Sequence, residues 1–204
     1  MENAAIYFGS LKSSFAREQD WEKFSLGIFA SEHLDLVQNK GIQVFSYSHK
    51  DDSNLKNKID DMNNGIFLDW ASVPNGFIND LAQKLHRAGK KIIVNTGWGL
   101  HSRSDYGNAD ILLLESFLGM NSGDDGVWPV KYSRTDEGAD IRKLRALKEK
   151  GYKSITLSYG PSADMNFANY CRNIAEQNCA DFFIYCQAPG WEKEGSGFKL
   201  FGED

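Results

Sequence analysis

Short, nearly continuous apolar runs punctuate the chain, and segments of helical character separate most of them. The runs are Ala4 to Ser10, Leu26 to Ser31, Ile42 to Ser48, Gly65 to Trp70, Lys91 to Trp98, Ala109 to Ser116, Ser154 to Gly160 and Asp181 to Pro189. Unbroken rather than alternating apolar runs mark parallel strands covered on both faces. Between the fourth and fifth runs, Phe77, Ile78, Leu81 and Leu85 recur at spacings of three and four, which is one face of a helix. The helical segment after the second run closes on Gly41, and the one before the seventh closes on Gly151, both ordinary helix stops. A short helical piece over 54–65 leads into the fourth run, and a helix from about Asp164 to Asn178 leads into the eighth. The helices near Trp21 and after the fifth run are weak in pattern. Gly119 to Gly126, rich in Gly, Asp, Asn and Ser, reads as a loop.

Strands alternating with helices imply crossover connections and a parallel sheet. Eight such units predict an α/β fold, a single small (β/α)8 TIM barrel. It would occupy residues 1–204 as one domain, with a core over about 4–190 and a loose polar tail over 191–204. A chain of 204 residues sits near the lower end of roughly 200 for this architecture. The competing open, doubly wound sheet usually carries a Gly-rich first turn for a nucleotide. Here the first turn, FGSLKSSF, has one glycine.

Composition narrows the partners. The formal net charge of −5 and the mixed signs argue against a nucleic-acid binder, which carries a basic stripe. No stretch approaches the roughly 18 apolar residues of a membrane span. The start, MENAAIYFGS, shows no signal peptide, so the expectation is a cytoplasmic protein, or a secreted one if a leader was removed. The three cysteines are Cys171, Cys179 and Cys186. The first two stand on one predicted helix, about 12 Å apart along its axis, too far for a disulfide. Buried free thiols are the expectation.

Active sites of such barrels collect at the C-terminal ends of the strands. Those ends supply Tyr7, Tyr47, His49, Asp69, Trp70, Asn95, Trp98, Glu115, Tyr159 and Gln187, with Trp191 just beyond. The set is aromatic and polar, with almost no basic groups. Aromatic faces stack on sugar rings, and amides and hydroxyls pair with sugar hydroxyls. Asp69 and Glu115 each interrupt an apolar strand, GIFLDW and ILLLES, where a bare charge is costly to bury. Two carboxylates at facing strand ends suit glycosidic cleavage, one protonating the leaving oxygen and the other acting as nucleophile or base. Glu32 reads as a helix cap, and Asp124 and Asp125 as a solvated turn. No H-x-H, H-E-x-x-H or C-x-x-C pattern offers metal ligands, and no G-x-S-x-G elbow is present. No glycine-rich phosphate cradle follows the last two runs, which speaks against a phosphosugar enzyme and leaves no cofactor implied.

The phrases NGIFLDW, KIIVNTGW and ADILLLES, in that order after IQVFSYS and a Tyr in the first run, give a resemblance. The chain resembles the glycoside-hydrolase barrels of the endo-α-1,4-polygalactosaminidase type (family 114-like), related to spherulin-4-like proteins and to the hydrolase domain of Pel polysaccharide systems. NTGW stands where that family has an NPG phrase, and Trp70 where it has an Asn. The resemblance implies hydrolysis of an α-1,4-galactosaminoglycan-type polysaccharide by Asp69 and Glu115. Asp69 as acid/base and Glu115 as nucleophile is the favoured assignment. Tyr7, Tyr47, His49, Trp70, Asn95, Trp98, Tyr159, Gln187 and Trp191 are the candidate substrate-binding residues. The rival from another class is a catalytically silent, glycan-binding barrel.

Overall fold

The computed structural model describes residues 1–7, 21–30, 34, 37, 41–49, 59, 63–69, 74–97, 105–121, 132–160 and 164–186, with only the backbone described at 5–7, 49, 121, 132 and 186. Eight parallel strands close into a barrel. They are β1 (Glu2–Tyr7), β2 (Leu26–Phe29), β3 (Gln43–His49), β4 (Gly65–Asp69), β5 (Lys91–Asn95), β6 (Ile111–Glu115), β9 (Lys153–Tyr159) and β10 (Phe182–Cys186). Each pairs with the next in that order, and β10 returns to β1, with Glu2 opposite Phe182. Closure leaves this sheet no free edge. The (β/α)8 architecture expected from the sequence is the one observed.

Alternation along the strands sorts the apolar residues into two cores. Phe45, Phe67, Ile93, Ile111, Leu113, Ile155, Leu157 and Ile184 pack together in the barrel interior. Their neighbours Ile66, Leu68, Ile92, Val94, Leu112, Leu114 and Phe183 pack outward against the helices. This double burial is why the runs read as continuous. Three helices of the described residues cover the outside: α1 (Asn75–Arg87), α2 (Glu137–Glu149) and α3 (Met165–Gln177). Helix α1 buries Ile78, Leu81, Ala82 and Leu85, the face anticipated by spacing, while Phe77 lies partly buried at its margin. The carboxylates of Asp136 and Asp164 cap α2 and α3 by accepting from the N–H groups of Ala139 and Phe167. Gly151, just past α2, has φ 86°, the left-handed turn that stops a helix.

Side chains knit the N-terminal rim of the barrel. Asn64 accepts from Val44 N, Asp110 from Ile92 N, and Asp181 from Ser154 N, at 2.7–2.8 Å. Each such bond links two neighbouring strands at their starts and leaves the opposite rim free for chemistry.

Four expectations need correction. Part of the Gly119–Gly126 loop is a strand: β7 (Gly119–Asn121) pairs antiparallel with β8 (Tyr132–Arg134). Strands of three residues are too short to show a period. Cys179 does not share the helix of Cys171; it lies beyond the C-terminus of α3 with φ 62°. It is also exposed, whereas Cys171 is buried as expected. The segment near Trp21 is a 3-10 turn, Trp21–Lys23. The Asp124–Asp125 pair, Glu32, most of the two helical pieces before β3 and β4, and the 191–204 tail lie outside the described residues.

Candidate active site

At the C-terminal rim, five strands each carry one polar side chain a single alternation step beyond an apolar interior residue. Tyr47 follows Phe45, Asp69 follows Phe67, Asn95 follows Ile93, Glu115 follows Leu113, and Tyr159 follows Leu157. The period of two that fills the barrel with apolar groups therefore aims these five at its open mouth.

They form one hydrogen-bonded arc. The Tyr47 hydroxyl donates to Oδ2 of Asp69 at 2.7 Å. Nδ2 of Asn95 donates to Oδ1 of Asp69 and to Oε2 of Glu115, each at 2.8 Å. The Tyr159 hydroxyl donates to Oε1 of Glu115 at 2.8 Å. Oδ1 of Asn95 accepts from the N–H of Gly97 at 2.9 Å, which fixes the orientation of the amide. The flipped amide would set its oxygen against two carboxylates and its NH2 against an N–H. Two oxygens that are each 2.8 Å from one nitrogen lie at most twice that distance apart, so Oδ1 of Asp69 and Oε2 of Glu115 are within about 5.6 Å.

The two carboxylates are half-buried, while Asn95 and Tyr159 are buried. Burial, then the hydrogen bond to Asp69, then the negative charges of Asp69 and Glu115 push the Tyr47 phenol far above its ordinary range. Tyr47 is therefore held as a neutral donor.

The turn after Glu115 is strained and braced. Ser116 and Leu118 have φ of 60° and 63°, the left-handed region that side chains with a Cβ rarely adopt. Phe117 is clamped on both sides, its N–H donating to Leu157 O at 2.9 Å and its carbonyl accepting from Ser158 Oγ at 2.6 Å. Leu118 N donates to Oδ2 of Asp140 at 3.0 Å, and the Thr135 hydroxyl donates to the same oxygen. Ser116 Oγ is buried and has no partner among the described residues.

The structure thus brings together Tyr47, Asp69, Asn95, Glu115 and Tyr159. His49 pairs in backbone register with Asp69, and Tyr7 with Phe29. Trp70, Trp98, Gln187 and Trp191 lie outside the described residues. Asp140 escaped the sequence reading. Its signal was a charge in the first turn of a helix where the flanking pattern wants an apolar residue, and it is 7% exposed. Among the described residues, no group of three or more His, Cys, Asp or Glu is placed to hold a metal ion, and no helix is long and apolar enough to cross a membrane.

No protein-family model matches the chain, and no curated protein does. Solved structures do match its fold. The glycoside hydrolase domain of PelA from Pseudomonas aeruginosa superposes with a TM-score of 0.63 at 14% identity, over 90% of this chain and 93% of that one. A variant of the same domain gives 0.63 at 13% identity, over 94% and 96%. A putative fructose-1,6-biphosphate aldolase from Coccidioides immitis matches at 0.53 and 10% identity, over 90% of this chain and 76% of that one. The barrel is thus shared with a glycoside hydrolase domain over nearly the whole of both chains, and more loosely with an enzyme of another class.

Proposed function

We propose that the protein is a glycosidase that cleaves an amino-sugar polysaccharide of the α-1,4-galactosaminoglycan type, acting within the polymer, with Asp69 and Glu115 as its catalytic pair. The observation that carries this reading is the shared amide. From β5, Asn95 sets two half-buried carboxylates, on the strands that flank it, a few ångströms apart over the mouth of the barrel, with a tyrosine behind each. Glycosidic cleavage needs such a pair. A separation of about 5–5.5 Å belongs to retaining enzymes, and about 6.5–9.5 Å to inverting ones, which must fit a water between acid and base. The limit of about 5.6 Å on the two oxygens that share the Asn95 amide supports the retaining course, with one carboxylate attacking the sugar directly. The favoured assignment keeps Asp69 as acid/base and Glu115 as nucleophile. His49, Trp70, Trp98, Gln187 and Trp191, with Tyr7 at the end of β1, would supply stacking and hydroxyl contacts to the sugars.

A silent glycan-binding barrel would tolerate a pair split well beyond about 10 Å, or Glu115 turned into the helix layer. The inward, bridged pair speaks for the catalytic reading instead. The decisive experiment is a reducing-end assay against a panel of amino-sugar polymers, with Asp69→Asn and Glu115→Gln as controls. The expected result is chain cleavage by the wild type and its loss, by about 10²–10⁴-fold or more, in each variant with the fold intact. Full activity in both variants, or glycan binding without release of reducing ends, would reject the proposal.

A further inference from the structure

The arc of hydrogen bonds has a direction. Among the described residues each carboxylate oxygen of Asp69 and Glu115 has one hydrogen-bond partner: for two of them the Asn95 NH2, which can only donate, and for the other two a tyrosine hydroxyl, which can donate or accept. The glycosidase reading, on which this inference rests, requires one of the two to carry a proton before cleavage. The four oxygens are not equivalent seats for it. An amide NH2 only donates, and this one cannot turn, because Oδ1 of Asn95 is held by Gly97 N. A proton on the oxygen facing it would weaken that oxygen as an acceptor while the donor stayed in place. A tyrosine hydroxyl both donates and accepts, and its hydrogen rotates to suit.

We infer that Asn95 and the two tyrosines fix the seat of the catalytic proton. Asn95 keeps Oδ1 of Asp69 and Oε2 of Glu115 as acceptors. The proton occupies Oδ2 of Asp69 or Oε1 of Glu115, and the tyrosine there turns from donor to acceptor. Asn95, Tyr47 and Tyr159 are positioning residues in this scheme. On cleavage the proton passes to the glycosidic oxygen, whose bond to the anomeric carbon breaks with the electron pair leaving on oxygen. The other carboxylate, still accepting from its own tyrosine and from Asn95, forms the new bond to that carbon. The tyrosine on the acid side then swings back to donate to the fresh carboxylate. The titratable groups brought to the pair among the described residues are Tyr47 from β3, Tyr159 from β9 and each carboxylate to the other. His49 stands at the same height by its register with Asp69.

The test is a carbon NMR titration of the free protein, following the Asp69 and Glu115 carboxyls, the Cζ atoms of Tyr47 and Tyr159 and the Asn95 side-chain amide. The pair is expected to take up its first proton in a step that one tyrosine Cζ follows at the same midpoint, while the Asn95 amide signals stay nearly still. Tyr47→Phe is expected to change the carboxyl step followed at Asp69, Tyr159→Phe that followed at Glu115, and Asn95→Ala both. In turnover, each tyrosine variant should then change a different limb of the kcat/KM profile. A merely structural role would lower thermal stability without moving these midpoints. Two flat tyrosine signals through both carboxyl steps, or an Asn95 amide that moves instead, would overturn the inference; the wild-type signals alone are enough to do so. The titration needs no substrate, so a chain without cleavage activity would sink the glycosidase reading while leaving this one to stand or fall by the spectra.

Discussion

The carboxylate of Asp140 accepts the backbone N–H of Leu118 at 3.0 Å and so holds, from α2, the turn that follows Glu115. Its Oδ2 also takes the Thr135 hydroxyl, and Lys143 lies 3.6 Å from its Oδ1. Residues 116 and 118 are held at positive φ, so the turn relaxes if the brace is lost. Asp140→Ala leaves a buried N–H unpaired, and about 2–4 kcal/mol of stability is expected to go, measured by urea unfolding. Activity should fall about 10²-fold in kcat with little change in KM, because Glu115 drifts from its place while the sugar contacts remain. Asp140→Asn, which keeps an acceptor, should lose markedly less of both.

The spacing of the pair predicts the stereochemistry of the product. Proton NMR of the first sugars released should show the anomeric configuration of the substrate. An inverted product would mean that the pair opens to admit a water, and Asn95 would then have to release one carboxylate.

Tyr47 predicts an alkaline signature. Its phenol is raised above the ordinary value of 10.0 in the folded protein and returns to that value when the chain unfolds. Above about pH 10 the unfolded state therefore binds fewer protons than the folded one, and stability falls as the pH rises. The contribution is complete below that pH and lost progressively above it. Denaturant melts across this range should fall more steeply for the wild type than for Tyr47→Phe.

Gly119 opens β7 where that strand presses on β9. A Cβ there would stand 2.2 Å from the Tyr159 carbonyl oxygen and 2.9 Å from the Phe167 ring. Gly119→Ala is expected to cost about 1–3 kcal/mol in thermal unfolding. It should also depress activity, since Tyr159 is the donor to Glu115. Gly76→Ala in α1, where a Cβ would meet nothing within 4 Å, is the control and should gain about 0.4–1 kcal/mol.

The cysteines predict unequal chemistry. Burial pushes the Cys171 thiol up to about 12, a rise that contacts with Ser158 and Arg134 only partly oppose, whereas Cys179 is exposed. A thiol reagent followed by peptide mapping should label Cys179 in the native protein and Cys171 only after unfolding.

Much of the site was legible because barrel strands obey a strict period. A charge at Asp69 or Glu115 breaks an apolar run at its C-terminal end, and the topology sends that end to the functional rim. Tyr47, Asn95 and Tyr159 emerged from the same position rule. Their role as partners of the carboxylates did not emerge, because it depends on which strands sit side by side and on which oxygen each donor reaches. Asp140 was hidden because its partner is a backbone N–H 22 residues away, a relationship without a sequence pattern. The hairpin of β7 and β8 was hidden because three residues carry no period. The exposure of Cys179 followed from a helix that ends two residues before it.

The alternation that splits the strands into two cores has an evolutionary reading. The hydrogen-bonded polar groups occupy one inward rung at the top of five staves, above rungs filled by Phe45, Phe67, Ile93, Leu113 and Leu157. Exchanging that rung would leave the lower rungs and the helix-facing side undisturbed. A lineage could therefore trade one reactivity for another, or fall silent, without first losing the scaffold.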